Sequence, residues 1–312
     1  MSESAISVRD LRKSYGSNEA VRGIDLDVAS GEVFGFLGTN GAGKTTTIEM
    51  LEGYRKRSGG DALVLGVDPG KPTREWRERI GLVLQECELD PMLTVKETVS
   101  LFASFYRAPR KPGEVIDLVG LAEKSDARVG TLSGGQRRRV DVAVGIIGDP
   151  DLVFLDEPTT GFDPAARRDA WNMIEGLRDL GTTIFLTTHY MDEAQHLADR
   201  VAILRRGEIV AEGTAESLSA SLGEDTVVRF RMPDGVAAGA IGAAIGETVE
   251  LSGSVAVVKT ADAQKTLHLL TSWAERERAR LVDLEAVRPS LEDIFLEVTG
   301  ADAPPGSGDE DG

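Results

Sequence analysis

The chain is poor in cysteine: Cys87 is the only one among 312 residues. One thiol cannot build an intramolecular disulfide framework or a cysteine-based zinc site, and it fits a reducing compartment. Bases are scarce too, with 35 Lys and Arg against 52 Asp and Glu and a net charge of −17. Phosphate neutralisation needs clustered Lys and Arg, so nucleic-acid binding is disfavoured. No apolar run reaches the ~18–20 residues that span a bilayer. Met1 to Asp10 carries no apolar stretch behind a basic start, so no secretory signal is expected. These absences predict a soluble, cytoplasmic protein. With 41% hydrophobic and 28% charged residues, a packed globular core is within reach. The length suits one large domain, or one ordinary domain with an appendage.

From Ala5 to about Gly213, short apolar runs alternate with longer helical patterns. Val33–Leu37, Ile80–Leu84, Leu152–Leu155 and Thr183–Thr187 are continuously apolar or β-branched, as expected of parallel strands covered on both faces. Helical stretches such as Lys44–Leu51 and Pro164–Leu180 follow them, which argues for a parallel α/β sheet. Ser217 to Glu224 reads as a linker. Beyond it, Thr226–Met232 alternates like a strand and Val236–Ile245 suits a helix. Thr248–Leu251 and Ser254–Val258 flank Ser252-Gly253 as a hairpin. Asp262 is a plausible cap for a helix to Glu277, and Ala279–Val287 returns as a strand. This β-α-β-β-α-β order is the split, ferredoxin-like arrangement. A last helix is expected over Leu291–Val298. Ala301 to Gly312 carries four acids, no bases and Pro304-Pro305, and reads as a disordered tail. No repeat is visible.

Gly38, Thr39, Asn40, Gly41, Ala42, Gly43, Lys44 and Thr45 match G-x-x-x-x-G-K-[ST] between an expected strand and an expected helix. Glycines let backbone N–H groups close around phosphate oxygens, and the helix start adds a favourable dipole. Lys44 can reach the β and γ phosphates, the Thr45 hydroxyl can ligate Mg²⁺, and Thr46 continues the phosphate-binding turn. Leu152–Leu155 runs into Asp156 and Glu157. At the end of a buried strand, Asp156 can hold Mg²⁺ through water, and Glu157 can act as base toward an attacking water. Ser133, Gly134, Gly135 and Gln136 open a further helix. Ser133 suits an N-cap. Two glycines there sacrifice roughly 1 kcal/mol each of helix propensity, which a second phosphate contact explains better than a plain cap does.

These residues together resemble the ATP-binding domain of the ABC transporters, over about Ala5 to Gly213. Leu132-Ser-Gly-Gly-Gln136 is the family's signature, and it stands at the family's spacing between P-loop and acidic pair. The resemblance implies a P-loop ABC fold, a mostly parallel sheet with a helical subdomain, over 1–216. It leaves a small α+β accessory domain over 217–300 and the tail over 301–312. It also implies that Tyr15 stacks on adenine and that Gln85 touches Mg²⁺ and senses the transmembrane partner. Asp163 lies in the loop that communicates between subunits, and His189 is the switch residue at the γ-phosphate. Asp163-Pro164 is an ordinary helix start as well. Phe162 departs from the family's usual leucine but keeps an apolar contact.

In this family the signature of one subunit closes over ATP on the P-loop of another. One P-loop and one signature therefore imply a homodimer. Arg288–Gly300, Arg137–Arg139 and Thr159–Pro164 resemble the daunorubicin-resistance type of exporter ATPase. That branch implies a separately encoded permease, export of drugs, antibiotics, lipids or polysaccharides, and a place on the inner face of the cell membrane. An importer ATPase and a soluble ATPase of translation or repair are the alternatives. The latter usually carries two cassettes or a coiled-coil insertion, which are not visible. A non-hydrolysing relative typically lacks the base or the switch histidine, and both are present.

Overall fold

The computed structural model describes residues 4–84, 87–221, 226–232, 235–287 and 291–299. Gln85 and the segment 301–312 lie outside the described residues. The chain divides into two compact units, Met1–Thr214 and Ala215–Gly312.

The first unit opens on strands β1 (Ser4–Tyr15), β2 (Asn18–Ala29) and β3 (Val33–Gly38), then helix α1 (Lys44–Leu51). β4 (Gly59–Val64), α2 (Arg74–Glu78) and β5 (Ile80–Val83) follow. Three helices come next, α3 (Val95–Ala103), α4 (Pro112–Leu118) and α5 (Gly134–Ile146), packed on one another. The unit closes with β6 (Leu152–Asp156), α6 (Pro164–Asp179), β7 (Thr183–Thr188), α7 (Met191–Leu197), β8 (Arg200–Arg205) and β9 (Glu208–Gly213).

A six-stranded sheet runs β5-β6-β7-β3-β8-β9, parallel except for β9 at its edge. β3, β6 and β7 are buried along their whole length. Successive residues of β6 serve opposite cores. Leu152 and Phe154 belong with Ile48, Leu51 and Phe185, whereas Val153 and Leu155 belong with Val99, Val140 and Ile174. Burial on both faces is why these strands carry unbroken apolar runs. In register, Leu37 stands beside Thr188 and Asp156 beside Thr187, so the carboxyl ends of the central strands share one edge. Ligands of open α/β sheets bind at that edge.

The strand-helix alternation did not announce a second sheet. β1 pairs antiparallel with both β2 and β4, in the order β2-β1-β4. Ile6, Val8, Leu11, Ile24 and Leu26 bring it into the core that holds Phe34 and Phe36.

The second unit comprises α8 (Ala215–Ser221), β10 (Thr226–Arg231), α9 (Ala238–Ile245), β11 (Val249–Ser252), β12 (Val255–Thr260), α10 (Ala263–Glu277), β13 (Val282–Val287) and α11 (Leu291–Thr299). Its antiparallel sheet runs β11-β12-β10-β13, the ferredoxin-like order. Ile241, Ile245, Leu270 and Trp273 from the helices pack on Val228, Phe230, Ala256 and Val258. Asp262 caps α10, accepting from the Lys265 N–H at 3.0 Å. One expectation is corrected. Ser217–Ser221, read as linker, belongs to α8, which packs against α11. Leu218 is buried there, as are Leu291, Ile294 and Phe295. A serine-rich composition concealed one apolar anchor. Residues 222–225 lie outside the described residues.

Candidate active site

The loop from β3 to α1 occupies the sheet's carboxyl edge. Gly43 has φ 111°, a conformation L side chains rarely adopt, and a Cβ there would sit 2.6 Å from the Ala20 carbonyl oxygen. A Cβ on Gly38 would sit 2.7 Å from the Leu204 carbonyl oxygen. Glycine is thus required at both positions. Thr39, Asn40, Gly41 and Thr45 are exposed, Thr46 is half-buried and Ala42 is buried. No side chain caps α1, so its first-turn amides are left to face an anion in the loop. The Lys44 ammonium is buried and donates to the Gly38 carbonyl at 2.7 Å. Burial pulls its pKa down, against the opposing pull of Glu157, whose Oε1 lies 3.4 Å away.

Asp156 ends β6, buried, and its Oδ1 accepts the Thr187 hydroxyl. Burial pushes its carboxyl up, with Glu157 adding to this and Thr187, Lys44 and Arg138 opposing. Glu157 has φ 44°, a left-handed backbone that costs an L residue about 1–2 kcal/mol. Its N–H donates to the Thr187 hydroxyl and to the Thr187 carbonyl, each at 3.1 Å. Its side chain lies between Lys44 and His189. Oε1 faces Lys44, and Oε2 lies 3.3 Å from His189 Nδ1 and accepts from the Thr160 hydroxyl at 3.2 Å. Burial alone would raise this carboxyl. Lys44, His189 and Thr160 together outweigh burial and hold it below the usual glutamate range. It is therefore an ionised acceptor at neutral pH.

Ser133 caps α5 through a reciprocal pair. Its hydroxyl accepts from the Gln136 N–H at 3.3 Å, and Gln136 Oε1 accepts from the Ser133 N–H at 3.1 Å. Gln136 thus has a local structural task. The two glycines do not: a Cβ on Gly134 would meet nothing within 4 Å, and one on Gly135 only Ala166 at an ordinary 3.8 Å. Neither glycine is required by this chain's own packing. Asp163 caps α6, accepting from the Ala165 and Ala166 N–H groups at 2.9 and 2.8 Å. Ser133, Gly135, Gln136, Phe162 and Asp163 line one cleft of about 480 Å³. Lys44, Asp156, Glu157 and His189 do not line it. The site residues thus gather in two groups. Tyr15 ends β1, 42% exposed, with Lys13 Nζ 5.0 Å and Arg55 Cζ 5.4 Å from its ring centre.

Three supporting contacts were missed in the sequence. Thr187 joins Asp156 to the Glu157 backbone. Thr160 donates to the Glu157 carboxylate. Buried Glu193, on α7, accepts from the Thr159 hydroxyl at 2.8 Å and from Trp171 Nε1 at 3.3 Å. The only available signal was their closeness in sequence to Glu157 and His189.

A family profile described as "ABC transporter" matches residues 21–160. A second, described as "ABC transporter domain-containing protein-like, C-terminal domain", matches 226–290. The daunorubicin/doxorubicin resistance ATP-binding protein of Streptomyces peucetius is 38% identical, covering 95% of this chain and 92% of its own length. The Nod factor export ATP-binding protein I of Paraburkholderia xenovorans is 40% identical, covering 96% and 98%. Among solved structures, a Clostridium perfringens protein described as part of an ABC transporter complex is similar, with TM-score 0.61 and 28% identity. That match covers 70% of this chain and 92% of the other. Likeness at that level over nearly the full length shows that the chain belongs to the ABC transporter ATP-binding proteins and is an ATPase of that family.

Proposed function

We propose that this chain hydrolyses ATP with Glu157 as general base and thereby powers export through a separately encoded membrane permease. The observation that carries the chemistry is the Glu157 carboxylate, held ionised between Lys44 and His189 beside the phosphate loop. In this reading Lys44 and the loop amides bind the β and γ phosphates. Glu157 takes a proton from the attacking water, and His189 holds the γ-phosphate. Tyr15, with 42% of its surface free, offers a face for the adenine. Thr45 and Asp156 supply the hard oxygen donors that suit Mg²⁺. They would hold that ion, whose charge would offset the charge on the phosphates.

Two half-sites per chain imply a homodimer in which Ser133, Gly134 and Gly135 approach the nucleotide on the partner's P-loop. The open space at both glycines supports this, since close backbone approach is a reason to omit a side chain. Export, rather than import, is favoured by the relatives matched over nearly their full length, which are named for daunorubicin/doxorubicin resistance and Nod factor export.

No helix among the described residues is long and apolar enough to cross a membrane. Membrane attachment at the inner face would then need the permease. The segment Glu86 to Phe105 is the proposed contact, and its Met92, Leu101 and Phe105 are exposed apolar side chains. The chain is expected to sediment with vesicles carrying its permease and not with protein-free vesicles, and Phe105→Ser should weaken the former. Equal sedimentation with both kinds of vesicle would overturn this reading.

The second unit carries no phosphate loop. Among the described residues no cluster of His, Cys, Asp and Glu could hold a metal. The proposed reading gives this unit a role in dimer stability or regulation. A chain ending at Thr214 is expected to bind ATP like the parent while self-association or transport weakens. Loss of ATP binding by the folded truncation would contradict this.

A further inference from the structure

Arg138 lies on α5, two residues beyond the signature, and is 9% exposed. Its guanidinium donates from Nε to the Pro158 carbonyl at 3.2 Å, from Nη2 to the Asp156 carbonyl at 3.0 Å, and from Nη1 to the Leu84 carbonyl. The first two carbonyls flank Glu157 on either side. The third follows the end of β5. Asp141, one turn further along α5, approaches Nη1 at 3.8 Å. Burial pushes the Asp141 carboxyl up to about 6, so it stays ionised at neutral pH and balances the guanidinium.

The backbone at Glu157 needs holding. Its φ of 44° is unfavourable, and such a conformation persists only where its surroundings over-determine it. Thr187 fixes the N–H of Glu157. Arg138 fixes the carbonyl before Glu157 and the carbonyl after it. A guanidinium suits this task because its planar fork presents donors in several fixed directions, which one ammonium cannot do.

We propose that Arg138 is a positioning residue, clamping the two carbonyls that flank Glu157 so that its carboxylate meets the attacking water. The clamp also joins that backbone to the signature helix α5 and to the end of β5. Displacement of either is thereby transmitted to the base. The proposal rests on Glu157 being the base.

A thermodynamic cycle tests it. Steady-state ATPase rates are measured for the parent, Arg138→Gln, Glu157→Gln and the double variant, well below each thermal midpoint. Misplacing a catalytic group by an ångström costs up to about 10²-fold. Arg138→Gln is therefore expected to lower kcat about 10–100-fold with KM for ATP nearly unchanged. Arg138→Lys, keeping the charge but not the fork, should fall between. Once Glu157→Gln has removed the base, Arg138→Gln should cost no more than about 3-fold further, because coupled residues are non-additive. Equal fold-losses in both backgrounds, or parental kcat in Arg138→Gln, would overturn the clamp alone. Parental hydrolysis by Glu157→Gln would overturn the base and the clamp together. If Arg138→Gln does not fold, Arg138→Lys completes the same cycle.

Discussion

Replacing Glu157 by Gln is expected to reduce ATP turnover by about 10²–10⁴-fold, the usual contribution of a general base, while ATP affinity barely changes. The amide keeps the size of the side chain and an oxygen that can accept from the Thr160 hydroxyl, but loses the basicity. In the proposed reading, binding is carried by Lys44, Thr45 and the loop amides, which the substitution leaves in place. Unconsumed ATP should then continue to bridge the P-loop of one copy to Ser133, Gly134 and Gly135 of another. With Mg²⁺-ATP, Glu157→Gln is expected to shift from monomer to dimer in size-exclusion chromatography with light scattering. Adding Ser133→Arg should abolish the shift, because a long cation would fill the space at the signature. A Glu157→Gln dimer that survives Ser133→Arg would mean that the sandwich geometry is wrong. The parent should show a matching pH dependence. Lys44 and His189 hold the Glu157 carboxyl below its ordinary range. Turnover should therefore persist as pH falls through the usual glutamate pKa, and be lost only at more acidic pH.

Lys44→Ala should leave a folded protein with sharply weaker ATP binding. A hydrogen bond to a charged group contributes about 1.5–3 kcal/mol, which is roughly 10–150-fold in affinity. Isothermal titration with ATP measures this directly, and thermal unfolding checks that the fold survives. The variant also removes the cation 3.4 Å from Glu157 Oε1. The Glu157 carboxyl should then titrate higher, since burial, which raises it, is opposed by less positive charge. Parental ATP turnover in Lys44→Ala would sink the nucleotide-site assignment.

What was legible in the sequence was local. The P-loop, the acidic pair and the signature are each contiguous, and backbone geometry ties each to a strand end or a helix start. The same holds for the caps: Ser133, Asp163 and Asp262 bond to N–H groups within three residues of themselves. The ferredoxin-like order of the second unit followed from alternation and one hairpin. The serine-rich stretch after Thr214 misled because composition reports average polarity, and one buried Leu218 is enough to seat a helix.

The sequence by itself therefore determined the family and the positions of the candidate site residues, because short-range spacing dictates them. Tertiary structure alone decided what holds those residues. The Thr187 hydroxyl reaches Asp156 across adjacent strands. Arg138 spans from a helix to two strand ends, and Glu193 reaches back to Thr159. A hydroxyl, a guanidinium or a buried carboxyl has many possible partners in sequence. Only the packing of distant segments selects one, because a buried polar group must find a partner where the fold leaves it.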